Sequence, residues 1–160
     1  MVLTPENIRG ALGRFATGVT VMSVCDDAGQ AIGVTANSFV SVSLEPPLVL
    51  WCLRRRAAVH PVFFSRELFA VNFLDGRSED NSARYAQRGQ NVLPGDQLNW
   101  SRRGVPLMNS ALASLECETV RRDDGGDHTI FLARILDIHE GHEGEPLVFY
   151  KGRYRKLARE

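Results

Sequence analysis

Gly33-Val34-Thr35-Ala36-Asn37-Ser38-Phe39-Val40-Ser41-Val42-Ser43-Leu44-Glu45-Pro46-Pro47 is the stretch on which the fold turns. Ala31 to Thr35 and Asn37 to Ser43 read as consecutive strands. Phe39, Ser41 and Ser43 alternate with Val40 and Val42, the two-residue period of a pleated strand. Glu45-Pro46-Pro47 breaks the run, since neither proline offers a backbone donor. Small side chains before the break let a flat ligand approach backbone amides closely. The hydroxyls and Asn37 add donors and acceptors for a polar rim. A Ser/Thr-rich edge strand with its polar face in water has the same composition, so composition alone leaves both readings standing.

Upstream, Thr4 can cap a helix, Pro5 fits its first position and Gly18 can end it. Ile8, Ala11, Leu12 and Phe15 fall on one apolar stripe of that helix. From Val19 to Cys25 the pattern switches to alternation with β-branched residues, and Asp26-Asp27-Ala28-Gly29 turns the chain into the next strand. Downstream, Leu48 to Leu53 is continuously apolar and is expected as a buried strand, ended by Arg54-Arg55-Arg56. Val59 to Ser65 is expected as a short helix and Leu68 to Leu74 as another buried strand. A helix from Ser78 to about Arg88 follows, with Glu79 and Asp80 in its first turn. Residues 89–110 are poor in pattern and rich in Gly and Pro, and read as a long surface excursion. Leu112 to Arg122 and Thr129 to His139 flank a turn at Asp123–Asp127, and Leu147 to Tyr150 is a last short strand before a basic tail. About seven short strands with two or three helices and no β-α-β alternation predict a mainly β, antiparallel sheet closed into a barrel. No repeat or linker divides the chain, so residues 1–160 read as one domain.

The composition limits the functional classes. The 160 residues hold 19 Lys+Arg against 19 Asp+Glu. Zero net charge argues against a dedicated nucleic-acid binder. At 44% hydrophobic the chain is globular in character, and at this length it needs neither disulfides nor a structural metal. Its longest apolar run is far below the ~20 residues that span a bilayer, and no apolar signal segment follows the N-terminus. A cytoplasmic protein without membrane contact is expected, with Cys25, Cys52 and Cys117 as reduced thiols.

Several familiar motifs fail. Gly13-Arg14-Phe15-Ala16-Thr17-Gly18 has the glycine spacing of a phosphate loop, but Val19 stands where lysine is required. There is no GxGxxG and no GxSxG. His139-Glu140-Gly141-His142-Glu143 lacks the HExxH spacing and reads as a solvated loop, so no metal site is expected. Between positions 54 and 103 nine Arg face Glu67, Asp75, Glu79, Asp80 and Asp96. That local excess suits either a solvated cluster or an anion site that steers a phosphate-bearing ligand.

Taken in order, the pieces resemble a known family. Phe15-Ala16-Thr17-Gly18-Val19-Thr20-Val21 and the Gly33–Pro47 stretch are similar to the FATGVTV and GMTANSFTSVSLDPP signatures of short-chain NAD(P)H:flavin oxidoreductases. Phe69-Ala70-Val71-Asn72, Gly104-Val105-Pro106, Leu115-Glu116-Cys117, Gly126-Asp127-His128, Pro146-Leu147 and Gly152-Arg153-Tyr154 continue the likeness over nearly the whole chain. The resemblance implies a Greek-key FMN-binding split barrel with a few flanking helices, working as a homodimer. It implies that Thr35, Ala36, Asn37, Ser38, Phe39, Ser41 and Val42 lie along the flavin, with Arg56 and Ala57 at its phosphate. Arg84 and Tyr85 would complete that site. His128 would stand beside the nicotinamide as the residue tied to catalysis, with Tyr154 near the same pocket. Val34, Val40 and Glu45 depart mildly from the signature, and the run from Arg54 to Ala58 departs more, with arginine and alanine where many relatives carry Ser or Thr.

The implied reaction is reduction of FMN or FAD by NADH or NADPH, with reduced flavin supplied to the oxygenase of a two-component monooxygenase. The rings carry the chemistry, so a site of amides, small residues and one histidine suffices. The alternatives are a flavin carrier or sensor without turnover, and an oligonucleotide-binding barrel, which the low aromatic content (8%) disfavours.

Overall fold

The computed structural model describes residues 2–158; Met1, Arg159 and Glu160, at the ends of the expected 1–160 domain, lie outside the described residues. In chain order the elements are α1 (Pro5–Leu12), β1 (Thr17–Gly18), β2 (Thr20–Cys25), β3 (Ala31–Ala36), β4 (Val40–Leu44), β5 (Pro47–Arg54), α2 (His60–Ser65), β6 (Leu68–Leu74) and α3 (Glu79–Tyr85). Then come β7 (Leu98–Trp100), β8 (Pro106–Met108), β9 (Ala111–Gly125), β10 (His128–Glu140), β11 (Val148–Tyr150) and β12 (Arg153–Arg155). No helix among the described residues is long and apolar enough to cross a membrane.

Seven strands form one antiparallel sheet in the order β3-β2-β6-β9-β10-β5-β4. Its two edges, β3 and β4, are joined by only Asn37, Ser38 and Phe39. A connector that short spans at most roughly 14 Å, so the sheet must curl until its edges nearly meet. The product is the expected antiparallel barrel, left split between β3 and the β4–β5 hairpin. Ser38 staples the split: its hydroxyl accepts from Cys52 N (2.9 Å) and donates to Cys52 O (3.0 Å). The crossing from β5 through α2 lands β6 between β2 and β9, which makes the connectivity Greek-key.

The barrel interior is filled by Met22, Val24, Val49, Trp51, Phe63, Phe69, Val71, Cys117 and Phe131. Trp51 is fully buried and stacks on Phe131 at 4.8 Å. A second apolar cluster lies on the outer face, where Val19, Val21 and Leu74 meet Tyr85, Leu93, Leu98 and Met108. β2 is therefore covered on both sides. Asn72 ties the two layers together. Its Nδ2 donates to Val21 O (2.9 Å) and Ser23 Oγ (2.8 Å), while its Oδ1 accepts from Met108 N (2.9 Å) and Ser114 Oγ (2.7 Å).

The structure departs from the sequence reading at several places. α1 is capped by Thr4, whose hydroxyl accepts from Asn7 N, but it ends at Gly13 and not at Gly18. Its stripe faces outward: Ile8, Leu12 and Phe15 are exposed. β4 starts at Val40, because 37–39 are spent on the turn across the split. α3 stops at Tyr85, short of Arg88. β5 alternates, with Val49, Trp51 and Leu53 inward and Leu48, Leu50 and Cys52 half-buried, since only one of its faces meets the interior. The 89–110 segment is no surface excursion. It carries the β7–β8 hairpin and buries Leu93, Leu98, Val105, Leu107 and Met108. The β9–β10 turn is tighter than expected, centred on Gly126 at φ +74°. The tail adds β12, paired with β11.

Candidate functional site

A cavity of about 510 Å³ opens at the split, within the range of pockets that hold cofactor-sized ligands. One wall is the end of β3 with the connector, Val34 to Ser38. The opposite wall is the free end of β5 and the loop after it, Cys52 to Val59. The residues after α3, through Asn91, and His128 at the start of β10 complete it. The sheet geometry dictates this place: β4 pairs with β5 only as far as Leu50, so beyond it β5 has no strand on that side.

Two of the hydroxyls expected to contact a ligand are already engaged. Ser38 is the staple described above. Thr35 Oγ1 donates to Ser82 O (2.7 Å) and locks β3 onto α3. What remains for a ligand is the backbone, the exposed Asn37 side chain and the small surfaces of Ala36, Ala57 and Ala58. Arg54, Arg56 and Arg88 line the mouth. Arg56 and Arg88 have no carboxylate partner among the described residues, so two cations from different walls are available to an anion. A cavity with small side chains on its walls and guanidinium groups among its lining fits a ring system carrying phosphate.

His128 lies beside this mouth. Its Nδ1 is 2.6 Å from Asp127 Oδ1. That hydrogen bond, with the imidazole charge and Arg54, holds the Asp127 carboxyl below the usual carboxylate range. Asp127 thus stays an acceptor, and Nδ1 of His128 donates to it, which holds the ring's orientation. Nε2 has no partner among the described residues.

The cavity brings together Thr35, Ala36, Asn37, Ser38, Arg56, Ala57, Tyr85 and His128 of the expected site. It does not bring in the other five. Phe39 turns away and packs edge-on against Phe73 at 5.3 Å. Ser41 and Val42 are exposed on the edge strand β4. Arg84 lies over the Tyr85 ring on the outside of α3. Tyr154 stands behind α3, its hydroxyl 2.7 Å from Ser82 Oγ. Cys52, Arg88 and Asn91 line the cavity and were missed. Cys52 alternates with buried residues on β5, and a period-2 reading of that strand would have exposed it. Arg88 and Asn91 follow a helix end that the sequence placed too late.

The remaining polar clusters are internally compensated. Glu116, Asp137 and His139 place potential ligand atoms within 4.8 Å of one another. Arg103 already contacts fully buried Glu116 at 3.3 Å and lies 3.9 Å from Asp137. His142 meets buried Asp75 at 2.8 Å, so the segment 139–143, exposed at Glu140, Gly141 and Glu143, is tied down at both histidines.

Comparison with known proteins gives the context for this geometry. Residues 12–158 match the family model described as a flavin reductase like domain. An FMN reductase (NADH) from Agrobacterium fabrum is 38% identical over 157 residues, covering 97% of this chain and 87% of that protein. The reductase subunit HsaB of a flavin-dependent monooxygenase from Rhodococcus jostii is 34% identical over 152 residues, covering 95% of this chain and 77% of the relative. The solved structure of an NADH:FAD oxidoreductase from Streptomyces globisporus, in complex with NAD and FAD fragments, superposes with a TM-score of 0.86 at 36% identity, covering 99% and 97% of the two chains. With the signature stretch lining the split and the match running through nearly all of the fold, the chain belongs to the flavin reductase-like family.

Proposed function

We propose that this protein is an NAD(P)H-dependent flavin reductase. The observation that carries the reading is the cavity at the barrel split, which joins small-residue walls, arginines without a carboxylate partner among the described residues, and an oriented histidine. Bound flavin and nicotinamide supply the hydride acceptor and donor. The chain's own residues bind, orient and exclude water. Backbone and small side chains from Thr35 to Ser38, with Ala57, admit the FMN or FAD ring. Arg56 holds phosphate, and Tyr85 backs the far wall. His128, its ring held through Nδ1 by Asp127, would present Nε2 to the nicotinamide carboxamide and so help orient the donor ring. Phe39, Arg84 and Tyr154 support the walls from behind.

The outward stripe of α1, with exposed Val40, Val42 and Leu44 on β4, fits a second copy of the chain. In that homodimer Ser41 and Val42 would reach the flavin region from the interface. Reduced flavin is passed to an oxygenase component, as the naming of the Rhodococcus relative as a reductase subunit supports. A cytoplasmic setting suits three free thiols.

The test is nicotinamide absorbance followed with purified protein, NADH or NADPH, and added FMN or FAD. Flavin-dependent loss of absorbance supports the reductase. Flavin binding by fluorescence quenching without turnover would replace it with a carrier or sensor.

A further inference from the structure

Asn91 links two walls of the cavity. Its Nδ2 donates to Gly33 O at 2.8 Å and reaches Tyr85 O at 3.5 Å. Its backbone carbonyl accepts from Gly33 N at 2.8 Å. Two residues on, Leu93 N donates to Ala31 O at 2.9 Å, and Ile32 bridges Val92 in antiparallel fashion. Residues 91–93 thus run along the outer edge of β3 as a short extra strand, immediately before the stretch that forms the cavity wall. The approach is tight: a Cβ on Gly33 would stand 2.5 Å from Leu93 Cδ1. A neutral amide nitrogen with two protons is suited to serving two carbonyls at once.

We propose that Asn91 is a positioning residue for flavin binding. By holding the Gly33 and Tyr85 carbonyls to one amide, it sets the separation between the β3 wall and the wall that follows α3. The proposal rests on the flavin reductase reading above. Without the amide, Gly33 O loses that donor and the tie to Tyr85 O is lost, while the backbone pairing of 91–93 with β3 and the Thr35–Ser82 bond remain, so flavin must order the loosened wall after α3 on binding. His128 is on β10 and makes no hydrogen bond to Asn91, so the nicotinamide side is spared.

The test compares wild type, Asn91→Ala and Asn91→Asp. It measures Kd for FMN and FAD by fluorescence quenching without nicotinamide, and KM for flavin and NADH separately. Asn91→Ala is expected to raise flavin Kd and KM about tenfold, with kcat at saturating flavin and KM for NADH within about twofold. Asn91→Asp is expected to match it at about pH 8. Relative to wild type it recovers only as pH falls to about 4 and below, where the acid is protonated and again donates to Gly33 O. Flavin affinity within about twofold of wild type in Asn91→Ala, or equal loss on both substrates, overturns the proposal. Should Asn91→Ala fail to fold, the pH recovery of Asn91→Asp decides alone, its absence overturning the proposal. Wild-type protein that neither binds nor reduces flavin overturns the reductase reading itself, and the proposal with it.

Discussion

Replacing Asn72 by alanine should destabilise the fold by about 3–7 kcal/mol. The figure follows from what the side chain satisfies. Asn72 is fully buried and uses all four of its hydrogen-bonding positions. Truncation leaves Met108 N–H without its acceptor and the Ser114 hydroxyl without its own, at about 1–3 kcal/mol for each buried orphan. Ser23 keeps one partner, Pro106 O at 2.6 Å, and adds little. The cavity adds about 1 kcal/mol. Against a typical total of about 5–15 kcal/mol this is a large fraction. The assay is urea unfolding by circular dichroism at fixed protein concentration, where a slope of about 1–3 kcal/mol/M turns the loss into a midpoint drop of at least about 1 M. Asn72→Leu, which refills the volume, separates the orphan cost from the cavity. A loss below about 1 kcal/mol in both variants would refute the account of Asn72 as the pin between the two layers.

Further outcomes can be stated. His128→Ala should raise KM for the nicotinamide about tenfold with flavin Kd within about twofold; a collapse of flavin binding would place His128 in the flavin site instead. Asp75 is buried and accepts from Arg77 N and the Arg77 guanidinium, with His142 also against it, so its carboxyl sits well below the usual range. Its stabilisation is therefore present above the unfolded value of about 3.9 and is lost as pH falls. Asp75→Asn should be about 2 kcal/mol less stable near pH 7 and converge with wild type toward pH 2, as thermal melts would show. Val42→Lys on the exposed β4 edge should shift the protein toward monomer in sedimentation; an unchanged dimer would move the interface elsewhere, and a monomeric wild type would remove it.

The sheet was legible because its signal is local. The alternation in Val19 to Cys25 and the run Leu68 to Leu74 mark strands whose side chains meet two sheltered faces. Composition and strand count indicated a barrel, but the split could be placed only once β3 and β4 were seen at opposite edges. The 89–110 segment was misread because Leu93, Leu98, Val105 and Met108 are buried by distant strands, not by a periodic pattern of their own. In the site, the resemblance points to Thr35 and Ser38, and both line the cavity, but with hydroxyls bonded within the protein. A hydroxyl next to a cavity looks the same in sequence whether it faces a ligand or, as here, holds Ser82 and Cys52. Asn91 carries no sequence signal at all, since its partners are backbone carbonyls.

The Ser38 staple carries an implication for anyone seeking a hardier version of this protein. Engineering for robustness rewards closing gaps, and the seam between β3 and β5 is the obvious gap to close. Longer pairing there would add ladder hydrogen bonds and raise the melting point. It would also occupy the ground proposed above for the flavin. A single hydroxyl in place of a continuous ladder leaves the barrel ajar by one ligand's width, so thermal toughness and catalytic use compete for the same few residues, and screens for one will discard the other.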